Sequence, residues 1–354
     1  MSSPTLSAAS PSARPKSRRR DRTWLKRGSL GVIAMLIGLS GIGAIYQAVA
    51  TANDRRTYSP QGNLVDIGGR RIHMLVMGED TGKPTVILEA GMASYSSNYF
   101  WIQSELAADT RVVAYDRAGL GWSDPSPEPQ DAQQSARDLH SALLAANIPG
   151  PYVVAGHSYG GLVVRAFTDL YPDEVVGMVL IDASHPDQWA RMPVSREGKV
   201  PGYGNLLTGI LARIGVVRLF RLESALYTGL PAAQAAEMEA VLAKPETWQS
   251  SGRVLLLWGE RSRQQVNQSH SLGDLPLAVI SVTEQPLVGD ALTELQSELP
   301  GLSINSIHHT ETGATHESLV AERGHAMVVV KTIRLVLEAA QTGLPLSEIA
   351  RAGE

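Results

Sequence analysis

Hydrophobic positions along this chain follow three patterns, and each predicts a different kind of structure. An uncharged run from Leu30 to about Ala50 is long enough for a helix, rising ~1.5 Å per residue, to cross a lipid bilayer. Short continuous apolar runs follow, which are typical of parallel strands covered on both faces. Amphipathic spacings between those runs predict helices. The chain therefore predicts an apolar N-terminal helix followed by an α/β domain.

The predicted strands alternate with helices for most of the domain. A hairpin with a glycine turn is expected at its start, because two β patterns flank Gly68-Gly69. Strand, helix, strand in this order predicts a parallel sheet with right-handed crossovers. The predicted strands are 64–67, 71–76, 85–90, 111–115, 152–155, 176–181, 277–282 and 303–307, and the predicted helices include 99–108, 131–147, 291–299 and 327–340.

The alternation of strands and helices breaks after Asp182. Residues 185–270 carry helical patterns with scattered prolines and glycines, which predicts an insertion that covers the end of the sheet. One apolar run inside it, Val254–Trp258, also fits a strand of the sheet, and the local pattern leaves both interpretations open.

The N-terminus combines a basic segment with the apolar run. Residues 1–28 are rich in Ser, Pro, Ala and Arg, a composition that predicts a disordered cytoplasmic tail. Cations on the N-terminal side of residues 29–50 predict a transmembrane signal anchor that leaves the domain over 55–345 on the extracytoplasmic side. The alternative is a signal peptide cleaved after Ala48 or Ala50, which would release the domain.

Composition excludes several classes of function. The 354 residues carry a net charge of -4 and no basic stripe beyond the first 30, so a nucleic-acid partner is not expected. The chain contains no cysteine, which excludes thiol nucleophiles and thiolate metal sites. His308 and His309 are adjacent rather than spaced as zinc ligands on a helix, so neither a metal nor another cofactor is expected. The sequence does not indicate an oligomeric state.

The candidate chemistry is centred on Gly156-His157-Ser158-Tyr159-Gly160. This is G-x-S-x-G between an apolar strand and a helical pattern, the context in which a strained turn presents its serine as a nucleophile. Ser158 would then lie at the N-terminus of a helix, where backbone N–H groups favour developing negative charge. His157 is expected to pack beneath the serine.

From about residue 63 to 342 the chain resembles the α/β-hydrolase family. The resemblance rests on four motifs: Glu89-Ala-Gly-Met92, the stretch from Tyr115 to Asp124, Gly-His-Ser-Tyr-Gly-Gly at 156–161, and Gly313-Ala-Thr-His316. It implies an eight-stranded, mostly parallel sheet flanked by helices, with a helical cap after strand six and a nucleophile–acid–histidine triad. These motifs identify the family but not the substrate.

The resemblance implies His316 as the base, because it lies in the loop before the last helix, and His325 is the rival. The resemblance does not determine which residue is the acid of the triad. Gln285 stands where the family often carries it, so we expect Asp182 at the end of strand six, with Glu284 and Asp290 as alternatives. The backbone N–H groups of Tyr159 and Met92 are the expected oxyanion donors. Asp116-Arg117 is expected to pin the loop after strand four.

These residues together predict a serine hydrolase that acts on a small or acyl-chain ester through an acyl-serine intermediate. Amide or carbon–carbon bond hydrolysis would use the same residues, and a non-catalytic binding module is the alternative from another class. Epoxide hydrolases and haloalkane dehalogenases resemble this fold but carry Asp at the elbow, where this chain has Ser158. The insertion at 185–270 is expected to set substrate choice.

Overall fold

An eight-stranded sheet forms the centre of the structure, a computed structural model that describes residues 19–191, 202–268, 271–283 and 290–353. The strand order is β1-β2-β4-β3-β5-β6-β7-β8. The first two strands form the predicted antiparallel hairpin, β2 pairs antiparallel with β4, and the rest of the sheet is parallel. The strands are β1 (Asn63–Asp66), β2 (Arg71–Met77), β3 (Thr85–Glu89), β4 (Val112–Tyr115), β5 (Tyr152–His157), β6 (Val175–Ile181), β7 (Leu277–Val282) and β8 (Ser306–Glu311).

Helices cover both faces of this sheet and form the insertion. They are α1 (Arg19–Thr57), α2 (Phe100–Leu106), α3 (Ala132–Ala145), α4 (Gly160–Leu170), α5 (Gln188–Arg191), α6 (Tyr203–Arg213), α7 (Val216–Phe220), α8 (Ala232–Leu242), α9 (Pro245–Leu257), α10 (Arg263–Asn267), α11 (Asp290–Glu298), α12 (Ser318–Ala321), α13 (Arg323–Thr342) and α14 (Leu346–Ala352). Short 3₁₀ turns lie at Ser96–Tyr99, Pro172–Glu174, Ser224–Leu226 and Leu299–Leu302, and a π-helical turn lies at Trp258–Ser262.

The core lies in two layers, one on each face of the sheet. On β5, Val154 belongs to the layer that contains α3 and α4, while Val153 and Ala155 belong to the layer that contains α2 and α13. Successive side chains of a strand point to opposite faces, so a strand covered on both sides needs apolar residues at every position. This is why the central strands are continuous apolar runs, and the predicted mostly parallel sheet is confirmed.

The insertion is helical throughout its described residues. Val254 to Leu257 belong to α9 and Trp258 begins the π-helical turn, so the alternative interpretation of this run as a strand is wrong. Val254 and Trp258 are buried while Leu256 is exposed, which is a helical rather than an alternating pattern. The run therefore forms the buried stripe of a cap helix.

The helix α1 is longer than the predicted 29–50 at both ends. It begins at Arg19, so residues 19–28 of the segment expected to be a disordered tail are helical, while residues 1–18 lie outside the described residues. Its length follows from composition, because the chain has no proline between Pro15 and Pro60 to interrupt a helix. It is long and apolar enough to cross a membrane.

Two elements near the C-terminus also differ from expectation. The strand predicted at 303–307 is found three residues later, as β8, and the predicted last helix is followed by α14. The α13 helix ends at Gly343, whose φ of 69° is the left-handed conformation that commonly terminates helices.

Candidate active site

The turn between β5 and α4 holds Ser158 in a strained conformation. Its φ is 55°, in the left-handed region that residues with a Cβ rarely adopt. A Cβ atom at Gly156 would lie 2.6 Å from the carbonyl oxygen of Gly160, and one at Gly160 would collide with the carbonyl oxygen of Glu89. Both flanking positions of the motif therefore require glycine. The turn presents the Ser158 side chain at the carboxyl end of the sheet.

The neighbouring strand β6 holds this turn in place. The N–H of Ser158 donates to the carbonyl oxygen of Ile181 at 3.1 Å, and the N–H of Ser184 donates to the carbonyl oxygen of Ser158 at 2.9 Å. The end of β6 and the serine turn are thus joined on both sides of Asp182. This fixes the position of Asp182 relative to Ser158.

Asp182 and His316 meet at this edge of the sheet. Asp182 follows the last residue of β6, is buried, and has a φ of 40°. Its Oδ2 lies 2.5 Å from Nδ1 of His316, which stands in the loop between β8 and α12. Because the carboxylate binds Nδ1, the proton of a neutral His316 is held there and Nε2 is left to accept another.

The environment of His316 raises its pKa. Burial by itself lowers the pKa, but the hydrogen bond and the negative charge of Asp182 outweigh it, so the pKa of His316 lies above its ordinary value. A histidine stabilised in this way is a stronger base than one in water. That property suits a group that must take a proton from a hydroxyl.

His157 contacts His316 directly. Its Nε2 lies 2.9 Å from the backbone carbonyl oxygen of His316 and must donate to it, since a carbonyl oxygen only accepts. The two rings lie 4.5 Å apart between centroids. Burial, and then the charge of His316, lower the pKa of His157 well below its ordinary value, so it stays neutral. His157 is buried and holds the loop that carries His316.

The remaining histidines of the last strand and helix have other partners. His325 lies 2.9 Å from a carboxylate oxygen of Glu311, and His308 lies 2.6 Å from the hydroxyl of Ser281. The rival base His325 therefore does not occupy the position that His316 does. Of the alternative acids, Glu284 lies outside the described residues, and Asp290 begins α11 with its side chain likewise outside the description.

The loop after β3 passes directly against the serine turn. A Cβ atom on Gly91 would lie 3.1 Å from the Cβ of Ser158 and 3.0 Å from Nδ1 of His157. Within the described part of the chain, the N–H groups of Tyr159 and Met92 donate to no backbone or side-chain acceptor. An oxyanion hole requires two free donors beside the serine hydroxyl, so these two N–H groups stay the predicted donors.

Arg117 holds the loop after β3 in place. Its buried guanidinium donates to the carbonyl oxygens of Ala90 and Gly91, the latter at 2.5 Å, and pairs with the buried carboxylate of Glu89. Its neighbour Asp116 accepts the N–H groups of Ser96 and Trp122 at 2.9 and 2.8 Å. Both side chains act on backbone groups of the loops at the site, which agrees with the structural role predicted for them.

The cap is bound to the same region by one carboxylate that the sequence did not single out. Glu237 of α8 accepts from the hydroxyl of Ser97 at 3.0 Å and from the indole N–H of Trp122 at 2.6 Å. These partners are more than a hundred residues away along the chain, so no local pattern indicated the contact. Among the described residues, no three or more His, Asp or Glu side chains are grouped to hold a metal ion.

Comparisons with known proteins agree with this architecture. The family model described as "alpha/beta hydrolase fold" matches residues 84–318. An "AB hydrolase superfamily protein" from Gibberella zeae is 27% identical over 210 residues, which cover 56% of this chain and 62% of that protein. The chain spans only part of the curated relatives that it matches, from 20% of one to 62% of another.

Solved structures match over most of the chain. A thermophilic esterase from Thermogutta terrifontis superposes with a TM-score of 0.59 and 19% identity, covering 80% of this chain and 100% of that one. The epoxide hydrolase CorEH superposes with a TM-score of 0.59 and 20% identity, covering 77% and 96%. At this level of identity the likeness shows the fold alone.

Proposed function

Because this chain belongs to the α/β-hydrolase fold family, we propose that it is a serine hydrolase that cleaves carboxylic esters through an acyl-serine intermediate. The observation that carries the proposal is the 2.5 Å hydrogen bond between His316 Nδ1 and Asp182 Oδ2, formed beside the strained Ser158. A positioned base, a buried carboxylate and a serine at the carboxyl end of the sheet are the arrangement that activates a hydroxyl nucleophile.

Acylation begins when Ser158 Oγ attacks the ester carbonyl carbon and its proton passes to Nε2 of His316. Asp182 stabilises the imidazolium that forms, and the oxygen of the tetrahedral intermediate accepts from the N–H groups of Tyr159 and Met92. When the intermediate collapses, the carbon–oxygen bond to the alcohol breaks. His316 returns its proton to the departing alkoxide, which leaves the acyl group on Ser158.

Deacylation repeats these steps with water. His316 accepts a proton from a water molecule, whose oxygen attacks the acyl carbon, and the same two N–H groups hold the second oxyanion. The bond to Ser158 Oγ then breaks and His316 returns the proton to the serine. The products are a carboxylic acid and an alcohol, and no redox or metal step is needed for the balance.

The residue at the elbow separates this proposal from epoxide hydrolysis, although an epoxide hydrolase is among the similar structures. Opening an epoxide through a covalent ester requires a carboxylate nucleophile, and a serine hydroxyl would instead form an ether that water cannot readily hydrolyse. Ser158 therefore supports acyl transfer.

The test uses the full-length chain in detergent with p-nitrophenyl esters of increasing chain length and a fluorophosphonate probe. We expect ester turnover and labelling in the wild type, and neither in Ser158→Ala. Labelling without turnover of any ester would indicate that the enzyme cleaves an amide or carbon–carbon bond instead. Absence of both in the wild type would overturn the proposal in favour of a binding module.

We further propose that α1 is a retained anchor, with the hydrolase domain on the extracytoplasmic side. Lys26 and Arg27 precede the apolar run, the arrangement that keeps an N-terminus in the cytoplasm. The other end of the helix binds the domain, since Gln47 donates to the carbonyl oxygen of Ala243 at 2.8 Å. Intact mass of the protein extracted from membranes tests this: a chain beginning at Val49 or Thr51 would mean a cleaved signal peptide.

A further inference from the structure

The cap carries an apolar surface that the catalytic site does not use. Outside α1, eleven large hydrophobic side chains are exposed in the described part of the chain, and six of them lie within one short segment. This exposed apolar patch, formed on α6, α7 and the residues directly after α7, consists of Tyr203, Leu207, Ile210, Leu219, Phe220 and Leu222, each 57–67% exposed. Scattered exposed apolar residues need no explanation, but a cluster marks an interaction surface.

The opposite face of the same segment is already buried in the cap. Gly209, Ala212 and Val217 are covered, so these helices are apolar on both sides. A helix in a water-soluble domain is polar on the side that faces solvent. The patch therefore has the composition of a surface in contact with a second apolar medium.

One stripe of α1 is bound to this part of the cap. A Cβ atom at Gly43 would collide with the carbonyl oxygen of Ile214, in the turn between α6 and α7. Further along the same stripe, Gln47 binds the cap backbone and Asp54 pairs with Arg218 at 2.6 Å. These positions recur at helical spacing, so one stripe of α1 packs against the part of the cap that carries the patch.

The contact between Gly43 and the α6–α7 turn indicates how deep this turn lies in the membrane. Gly43 precedes Ala50, where the apolar run ends, by two helical turns, or about 10 Å along the axis. An anchor that spans the bilayer with this run brings the α6–α7 turn to the same depth below the outer surface. Amphipathic segments that lie in a membrane interface are buried by about 5–10 Å.

We propose that the cap is embedded in the outer leaflet of the membrane through this patch, beside the anchor helix. The proposal goes beyond ester hydrolysis and rests on α1 as a retained anchor. The charges of the segment fit a phospholipid surface, since residues 203–222 contain three arginines and no residue with a carboxylate before Glu223. Arg218 and Arg221 are paired with Asp54 and Glu239, which limits the cost of placing them near lipid.

The absence of cysteine from the chain allows a direct test, because a single introduced cysteine can carry a nitroxide spin label. The patch is sampled with Leu219→Cys and Phe220→Cys in the full-length protein, reconstituted in vesicles of phosphatidylcholine and phosphatidylglycerol. Ile42→Cys, 67% exposed on α1 next to Gly43, is the lipid standard of matched depth. Leu144→Cys, 60% exposed on α3, is the matched standard for an apolar side chain in water.

Collision of each label with oxygen, which partitions into lipid, is compared with collision with a water-soluble nickel chelate. We expect the two patch labels to collide with the nickel chelate as rarely as the label at Ile42→Cys does. The label at Leu144→Cys should collide with it often. Far-UV circular dichroism of every variant checks that the fold is retained.

Patch labels that collide with nickel as often as Leu144→Cys, while Ile42→Cys lies in lipid, would overturn the proposal and leave the cap in water. Nickel access at Ile42→Cys itself would show that α1 is no anchor, which removes the premise. Neither outcome depends on ester turnover, so failure here and failure of the proposed function are distinguishable.

Discussion

His157 Nε2 donates a hydrogen bond to the backbone carbonyl oxygen of His316, with the two atoms 2.9 Å apart. The residue before Ser158 thus holds the loop of the proposed base, so the elbow positions two members of the proposed triad at once. The second ring nitrogen of His157 faces the position where Gly91 would carry a Cβ, 3.0 Å away. His157 therefore lies between the loop of the proposed base and the loop after β3.

Replacing His157 should impair catalysis more than binding. His157→Leu removes the donor and leaves the carbonyl of His316 unsatisfied, which we expect to lower stability by ~1–3 kcal/mol and kcat by about tenfold or more, with a smaller change in KM. His157→Gln offers an amide donor and should recover part of both losses. Equal effects of the two variants in thermal unfolding and steady-state kinetics would contradict the assigned hydrogen bond.

The identity of the acid is tested by three variants. Asp182→Asn keeps the shape but cannot stabilise the imidazolium, so kcat for p-nitrophenyl esters should fall by up to ~10⁴-fold, as for the corresponding aspartate of serine proteases. Glu284→Gln and Asp290→Asn are the matched controls and should retain activity close to the wild type. A larger loss in either control would transfer the role to that residue.

The pH profile of kcat/KM should report His316. The base must be neutral to act, so activity should rise with pH through the pKa of His316, which Asp182 holds above its ordinary value against the effect of burial. In Asp182→Asn the raising influence is gone and burial remains, so the residual activity should rise at lower pH than in the wild type. A midpoint that does not move, or moves upward, would contradict this account.

Arg117 should contribute to the transition state through the loop that it braces. Arg117→Met removes donors to Ala90 and Gly91 and leaves Glu89 buried without its cation, so a loss of about 3–5 kcal/mol of stability is expected together with a lower kcat. Adding Glu89→Gln removes the unpaired charge and should restore part of the stability.

The double variant Arg117→Met/Glu89→Gln separates the two roles of this arginine. Chemical denaturation should show recovered stability, while kcat should stay low because the carbonyls of Ala90 and Gly91, in the loop after β3, still lack their donor. Recovery of kcat along with stability would show that Arg117 serves the fold only.

Local patterns were sufficient where a local constraint decides the structure. Central strands are covered on both faces, so nearly every position must be apolar and the strands are visible in the sequence as continuous apolar runs. The elbow requires Gly156 and Gly160 because backbone approaches leave no space for a Cβ, so the motif could be recognised without the fold. The apolar composition of 29–50 likewise predicted a membrane-length helix.

Local patterns were weaker where burial is partial or the segment is short. The strand β8 lies at the edge of the sheet and exposes His308 to Thr310, so it lacks the apolar signal that marked its neighbours and was predicted three residues early. The run Val254–Trp258 is compatible with a strand or a helix on its own, and the surrounding cap helices decided between them.

The sequence by itself determined the sheet, the strand–turn–helix around Ser158, the membrane-length helix and the loop that carries His316, because each depends on neighbours along the chain. Only the tertiary structure decided which carboxylate meets His316, since Asp182 lies 134 positions away and is brought there by the pairing of β6 with β7 and of β7 with β8. The same holds for the bond from His157 to His316 and for the contact of α1 with the cap. These depend on how distant elements are arranged in space, which no spacing within one segment records.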